Sequence, residues 1–141
     1  MTVLVDTSVW TLALRRRRKQ LDASQRWIER ELSDLIREGD VAVIGPVRQE
    51  LLSGIADAGA FERLRGHLRH FEDEPLTIED FEEAARCHNR CRSAGISGSA
   101  IDFLLCAAAL RRGWEIFTTD SDFDRYAAEL GLSLHEPRGM D

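Results

Sequence analysis

Short apolar runs rich in β-branched residues alternate along this chain with longer segments of helical periodicity, and that alternation restricts the fold more than any other feature. Residues 2–5 read as a first strand, 41–44 as a second, 115–118 as a later one and 132–134 as a final short one. Residues 71–76 make a weaker strand, because they contain Glu72, Asp73, Glu74 and Pro75. Helices are expected between them. One follows the polar turn Asp6-Thr7-Ser8, which can cap it. A longer one spans 23–37, with Trp27, Ile28, Glu31, Leu32, Leu35 and Ile36 near one face and Gly39 after its end. Gly45-Pro46 opens a third, since proline suits a first turn. Further helices span 60–70, 77–93, 100–110 and 122–130, and Thr77 with Asp80 three residues on makes a capping-box-like pair. Strands separated by helices imply a mostly parallel sheet covered on both faces. No repeat or low-complexity linker divides the 141 residues, so a single domain over 1–141 is expected.

Composition narrows the function. At 43% hydrophobic the chain can build a core, and at 31% charged it is not disordered. The net charge of −6 has the wrong sign for a general nucleic-acid binder, so contacts with nucleic acid must come from local basic patches. No stretch has the length of a transmembrane helix, and Asp6 interrupts the apolar N-terminus, which lacks the basic start of a signal peptide. Cys87, Cys91 and Cys106 are odd in number and form no paired motif; with only His88 nearby they read as buried thiols rather than a zinc site. The expected location is cytoplasmic, with reduced cysteines.

In a parallel sheet, functional groups gather beyond the carboxyl ends of the strands. Asp6 ends the first strand and Asp120 follows a later one, while Glu50 and Asp102 fall in the first turns of helices. Each has a dull alternative. Asp6 and Asp120 are also where helix caps occur, and Ser99 with Asp102 can form a cap pair. Asp122 is a secondary ligand or a cap, and Asp124 is solvated. Glu50 is harder to dismiss. It lies within the stripe Val47, Leu51, Gly54 and Ile55, where a glutamate needs a cation, a hydrogen-bond donor or a rim position. Asp102 heads a helix that is apolar all round. Two carboxylates about 4 Å apart repel by roughly 4 kcal/mol at an effective dielectric near 20. A fold that gathers four of them calls for a divalent cation, and oxygen donors favour Mg²⁺ or Mn²⁺.

These segments resemble a known family. Asp6-Thr7-Ser8-Val9-Trp10, Glu50-Leu51-Leu52, the run from Ile101-Asp102-Phe103 to Ala109, and Thr118-Thr119-Asp120-Ser121-Asp122-Phe123 look, in that order, like the motifs of PIN-domain ribonucleases, in particular VapC toxins of type II toxin–antitoxin systems. The resemblance covers essentially the whole chain. It implies an α/β/α three-layer sandwich with a mostly parallel sheet. It places Asp6, Glu50, Asp102 and Asp120 around Mg²⁺ or Mn²⁺ as metal ligands and catalytic acids, with Asp122 as an auxiliary acid and Ser8 or Thr7 orienting water through its hydroxyl. It also implies a VapB-like antitoxin as partner, dimerisation, and structured RNA as substrate, often transfer RNA or a ribosomal RNA loop. The chemistry is then metal-assisted phosphodiester hydrolysis by an in-line water, leaving a 5′-phosphate and a 3′-hydroxyl.

The run Arg15-Arg16-Arg17-Arg18-Lys19 is more basic than those motifs require. As a run of charge it reads as a solvated loop; in an acidic nuclease it is also the obvious phosphate-contacting, nucleic-acid-binding patch, or a contact for an acidic stretch of the antitoxin. Rival classes fare worse. An aspartyl-phosphate phosphatase needs an Asp two residues after the first, where this chain has Ser8, and a receiver domain needs a late lysine, whereas the sole lysine is Lys19. A binding module that kept the fold and lost activity is the remaining alternative, though all four acids are present.

Overall fold

Val3–Val5 (β1), Val41–Ala42 (β2) and Glu115–Phe117 (β3) pair in parallel in the order β2-β1-β3 in the computed structural model, which describes residues 1–15 and 20–139. Val3 lies opposite both Val41 and Glu115, and Val5 opposite Phe117. Val3, Leu4 and Val5 are all at most 1% exposed. Successive strand residues face opposite sides, so both faces of the sheet are covered and the fold is an α/β/α sandwich.

The helices are Thr7–Arg15 (α1), Ala23–Glu38 (α2), Gly45–Leu52 (α3), Ala58–Leu68 (α4), Ile78–Ser93 (α5), Ala100–Arg112 (α6) and Asp122–Leu130 (α7). They pack in two groups: α1 against α2 and α3, and α3 against α4; then α5 against α6 and α7. No helix among the described residues is long and apolar enough to cross a membrane. Local chemistry sets their ends. At α2, Asp22 accepts from the Gln25 N–H and the Gln25 side chain accepts from the Asp22 N–H, while Gly39 closes the helix at φ +73°.

Two expected strands shrink to single bridges. Within 71–76 only Asp73 pairs, with Val43, and within 132–134 only Leu134 pairs, with Ile116. Acidic side chains and Pro75 limit the first, and both stand at the sheet edge, where a short strand suffices. The helical face of α2 is also narrower than its periodicity predicts. Glu31, Leu32 and Leu35 are buried, whereas Trp27 and Ile36 are 37% and 39% exposed. Glu31 is tolerated inside because the chain beyond β3 returns to it. His135 Nε2 lies 2.7 Å from its carboxylate, and Arg138 Nε donates to it at 3.1 Å. Burial pushes the Glu31 pKa up, but the hydrogen bonds of Arg138 and His135 outweigh that and hold it below its ordinary value.

The strand order fixes where a site can form. From β1 the chain crosses to β2 on one side, and later to β3 on the other. The point where the order reverses lies beyond the carboxyl ends of β1 and β3, and there an open parallel sheet leaves a crevice.

Candidate active site at the carboxyl edge of the sheet

Asp6 occupies that crevice. Its backbone N–H donates to the Phe117 carbonyl at 2.9 Å, and its own carbonyl accepts from Val9 and Trp10, which starts α1. Its carboxylate does not cap. It is 6% exposed, and Oδ2 accepts from the hydroxyls of Ser8 and Thr118, each at 2.8 Å. Those two hydroxyls also bind the strand end beyond: Ser8 Oγ accepts from the Thr119 N–H and Thr118 Oγ1 from the Asp120 N–H, both at 3.0 Å. A Ser and a Thr from opposite ends of the sequence thus tie the loop after β1 to the loop after β3.

Asp102 enters from the first turn of α6. Ser99 Oγ accepts from its N–H at 3.1 Å, so the cap pair expected from sequence does form. Its Oδ2 accepts from the Tyr126 hydroxyl at 2.9 Å. Burial pushes the Asp102 pKa up, the hydrogen bonds of Tyr126 and Ser99 pull it back, and the charge of Asp6 raises it again, leaving it above its ordinary value. Burial also raises the pKa of Tyr126, as does its bond to Asp102, so the phenol stays protonated and remains a donor. Tyr126 is fully buried, with its ring against Phe103 and Phe123 at centroid distances of 5.2 Å and 5.0 Å.

The other acids stand at the rim. α3 ends at Leu52, so Gly54 and Ile55 fall outside it and the buried stripe reduces to Val47 and Leu51. Glu50 is therefore exposed, and its Oε1 accepts from the Thr7 hydroxyl at 2.6 Å. Asp120 is exposed and accepts from the Asp122 N–H at 2.9 Å, a cap-like bond at the start of α7. Asp122 pairs with Arg125 at 2.7 Å, and Asp124 is solvated as expected. Of the basic run, residues 16–19 and the Arg15 side chain lie outside the described residues.

Among the described residues, charge pairing separates Asp6 from the two other buried acids. Buried Asp80 has Arg111 and Arg112, and buried Glu31 has Arg138 and His135. Among the described residues, no cation pairs with Asp6, Glu50, Asp102 or Asp120; their contacts are hydroxyls and backbone N–H groups. A buried carboxylate without a counter-charge is unfavourable, so the edge suits a cation supplied from outside. Its oxygen-only donors match a hard divalent ion, and Cys87, Cys91 and Cys106 are buried free thiols whose pKa values burial raises. As the side chains stand, no group of three or more His, Cys, Asp or Glu among the described residues is gathered closely enough to hold a metal.

Sequence reasoning missed Tyr126 and Thr118. Tyr126 falls three residues after Phe123 and reads as a core position, with nothing to announce the target of its hydroxyl. Thr118 carries a weak signal, being the first polar residue after β3.

The sheet thus carries Asp6 at its reversal point, with Asp102 and Asp122 at the starts of α6 and α7. This chain belongs to the PIN-domain family, whose family model matches residues 3–129. Within that class it is similar to the ribonuclease VapC11 of Mycobacterium tuberculosis and the VapC ribonuclease Mb1587 of Mycobacterium bovis. It is 32% identical to each over 136 residues, covering 92% of this chain and 95% of the relative. Its fold matches FitAcB from Neisseria gonorrhoeae with a TM-score of 0.75 at 19% identity, over 99% of this chain and 100% of the other. It also matches VapBC2 from Rickettsia felis, bound to a DNA fragment from their promoter, with a TM-score of 0.73 at 17% identity over 96% and 98%.

Proposed function

We propose that this chain is a metal-dependent endoribonuclease, the toxin of a VapBC-type pair, which hydrolyses phosphodiester bonds in structured RNA such as transfer RNA or a ribosomal RNA loop. The observation that carries the reading is the set of carboxylates at the sheet edge that pair with no cation among the described residues, with buried Asp6 at its centre, in a protein that supplies buried Asp80 and Glu31 with arginine. Asp6, Glu50, Asp102 and Asp120 are the proposed ligands of Mg²⁺ or Mn²⁺, with Asp122 as an auxiliary. Bound there, a divalent ion neutralises charge on the phosphate and lowers the pKa of water. The chain's own part is orientation. Ser8 and Thr118 hold Oδ2 of Asp6 and leave Oδ1 without a partner among the described residues. Tyr126 and Ser99 fix Asp102.

The VapC names of its relatives and the VapBC2 structure whose fold it shares support a VapB-like antitoxin as partner. The proposed assembly is a homodimer or a toxin–antitoxin hetero-oligomer in the cytoplasm, with one PIN domain per chain. Incubating bulk transfer RNA and ribosomal RNA with the protein and Mg²⁺ tests the reading. Cleavage should leave 5′-phosphate ends and stop in EDTA. Asp6→Asn or Asp102→Asn should lower it at least about a hundredfold while the fold stays intact. Full activity in either variant, or in EDTA, contradicts the proposal. The spread of the acidic side chains favours one other reading, a module that keeps the fold and binds without cleaving. That reading predicts antitoxin binding with no cleavage under any metal.

A further inference from the structure

The N-terminal half of α2 carries an exposed aromatic that the core does not use. The indole of Trp27 is 37% exposed and separates two clefts. One, of about 310 Å³, is walled by Ala23, Arg26, Trp27 and Arg30 and contains no acid. The other, of about 350 Å³, is lined by Trp27, Arg30, Arg138 and Gly139 with two acids, of which Glu31 is held by Arg138 and Asp34 by Arg37. Either volume is at the lower end of what receives a flat organic group. The Arg30 guanidinium stands 5.8 Å over the indole. Neither Arg26 nor Arg30 forms an ion pair among the described residues, although Arg37 at the far end of the same helix takes Asp34.

We infer that Arg26, Trp27 and Arg30 form a docking surface for a single-stranded segment of the RNA substrate, with a base stacked on the indole and flanking phosphates on the two guanidinium groups. The inference rests on the ribonuclease reading. In a chain of net charge −6, two arginines beside an exposed ring, unpaired among the described residues, are complementary to a polyanion that carries flat groups. An aromatic platform beside basic side chains accepts any base, because every base has a π-face. The surface thus supplies grip rather than sequence choice.

The test is fluorescence anisotropy of a labelled mixed-sequence RNA of about 12 nucleotides, with full-length protein in EDTA so that binding is read without cleavage. Trp27→Ala should weaken binding by about tenfold or more, and Trp27→Phe, which keeps a ring, by much less. Arg26→Ala with Arg30→Ala should weaken it and reduce the slope of log affinity against log salt by about 1.4. All should melt like the wild type. Wild-type affinity in Trp27→Ala and in the double-arginine variant overturns the inference. So does loss of antitoxin binding with RNA binding intact, which assigns the patch to an acidic protein segment. If the wild type cleaves bulk transfer RNA and the surface variants cleave equally well, only the docking surface falls. If it neither binds nor cleaves, the ribonuclease reading falls as well.

Discussion

At the scale of single residues, the site depends on one hydroxyl and on the space left for it. A Cβ added at Gly98 would stand 2.4 Å from the Tyr126 hydroxyl oxygen and 2.9 Å from its Cζ, closer than real contacts allow. Gly98 is therefore required by space and not by its backbone angle. Gly98→Ala should destabilise the fold by about 1–3 kcal/mol in denaturant melts, and adding Tyr126→Phe should recover part of the loss by removing the nearest atom. If Gly98→Ala melts like the wild type, Tyr126 is not held as described. None of this is legible in sequence, where Gly98 is one glycine in a Ser-Gly-Ser turn and Tyr126 one aromatic in a helix. Asp6 was legible in position but not in use: it reads equally well as a helix cap, and only the convergence of Ser8 and Thr118 on its carboxylate distinguishes the two roles.

At the scale of elements, the helices were legible because their caps are local chemistry. The Thr77–Asp80 pair shows how far that goes. Asp80 does accept from the Thr77 N–H at 2.8 Å, as the spacing predicts. It is also fully buried and receives Arg111 at 2.6 Å and Arg112 at 2.7 Å, so the cap of α5 doubles as its clasp to α6. The arginines lie more than thirty residues away along the chain, and no local pattern connects them. Asp80→Ala should lower the unfolding free energy by about 3 kcal/mol, toward the low end for a broken buried pair because Arg111 is 36% exposed. The Arg112 guanidinium, followed by the Thr77 N–H and Arg111, outweighs burial and holds the Asp80 carboxyl well below its ordinary value. A depressed folded pKa contributes stability that is present above the unfolded value, near about 3.9, and is lost only as pH falls through the lower folded value. The wild type should therefore keep its advantage over Asp80→Ala at pH 4 and lose it only in stronger acid. An advantage that vanishes above pH 4 contradicts the clasp.

At the scale of the whole molecule, the order of strands does what no single residue announces. Because β1 lies between β2 and β3, the loops after β1 and β3 meet, and Asp6, Thr118 and Asp120 arrive at one edge from opposite ends of the chain. The alternation of strands and helices predicted that edge. It did not predict that Glu50 and Asp120 would stand exposed at its rim, because a two-turn α3 and a cap-like bond at α7 set those side chains. Asp6 and Asp102 remain the inner pair, each held by hydroxyls and neither by a cation among the described residues. Melting the protein across a Mn²⁺ titration asks most directly whether that edge binds a divalent ion. Wild type should show a rise that grows with the logarithm of the Mn²⁺ concentration above Kd, about 2.7 kcal/mol of stabilisation at a hundred times Kd, or roughly 5–10 °C for a chain of this size. Asp102→Asn should lose most of the rise. A flat response in the wild type, or an equal rise in Asp102→Asn, would contradict the proposed site.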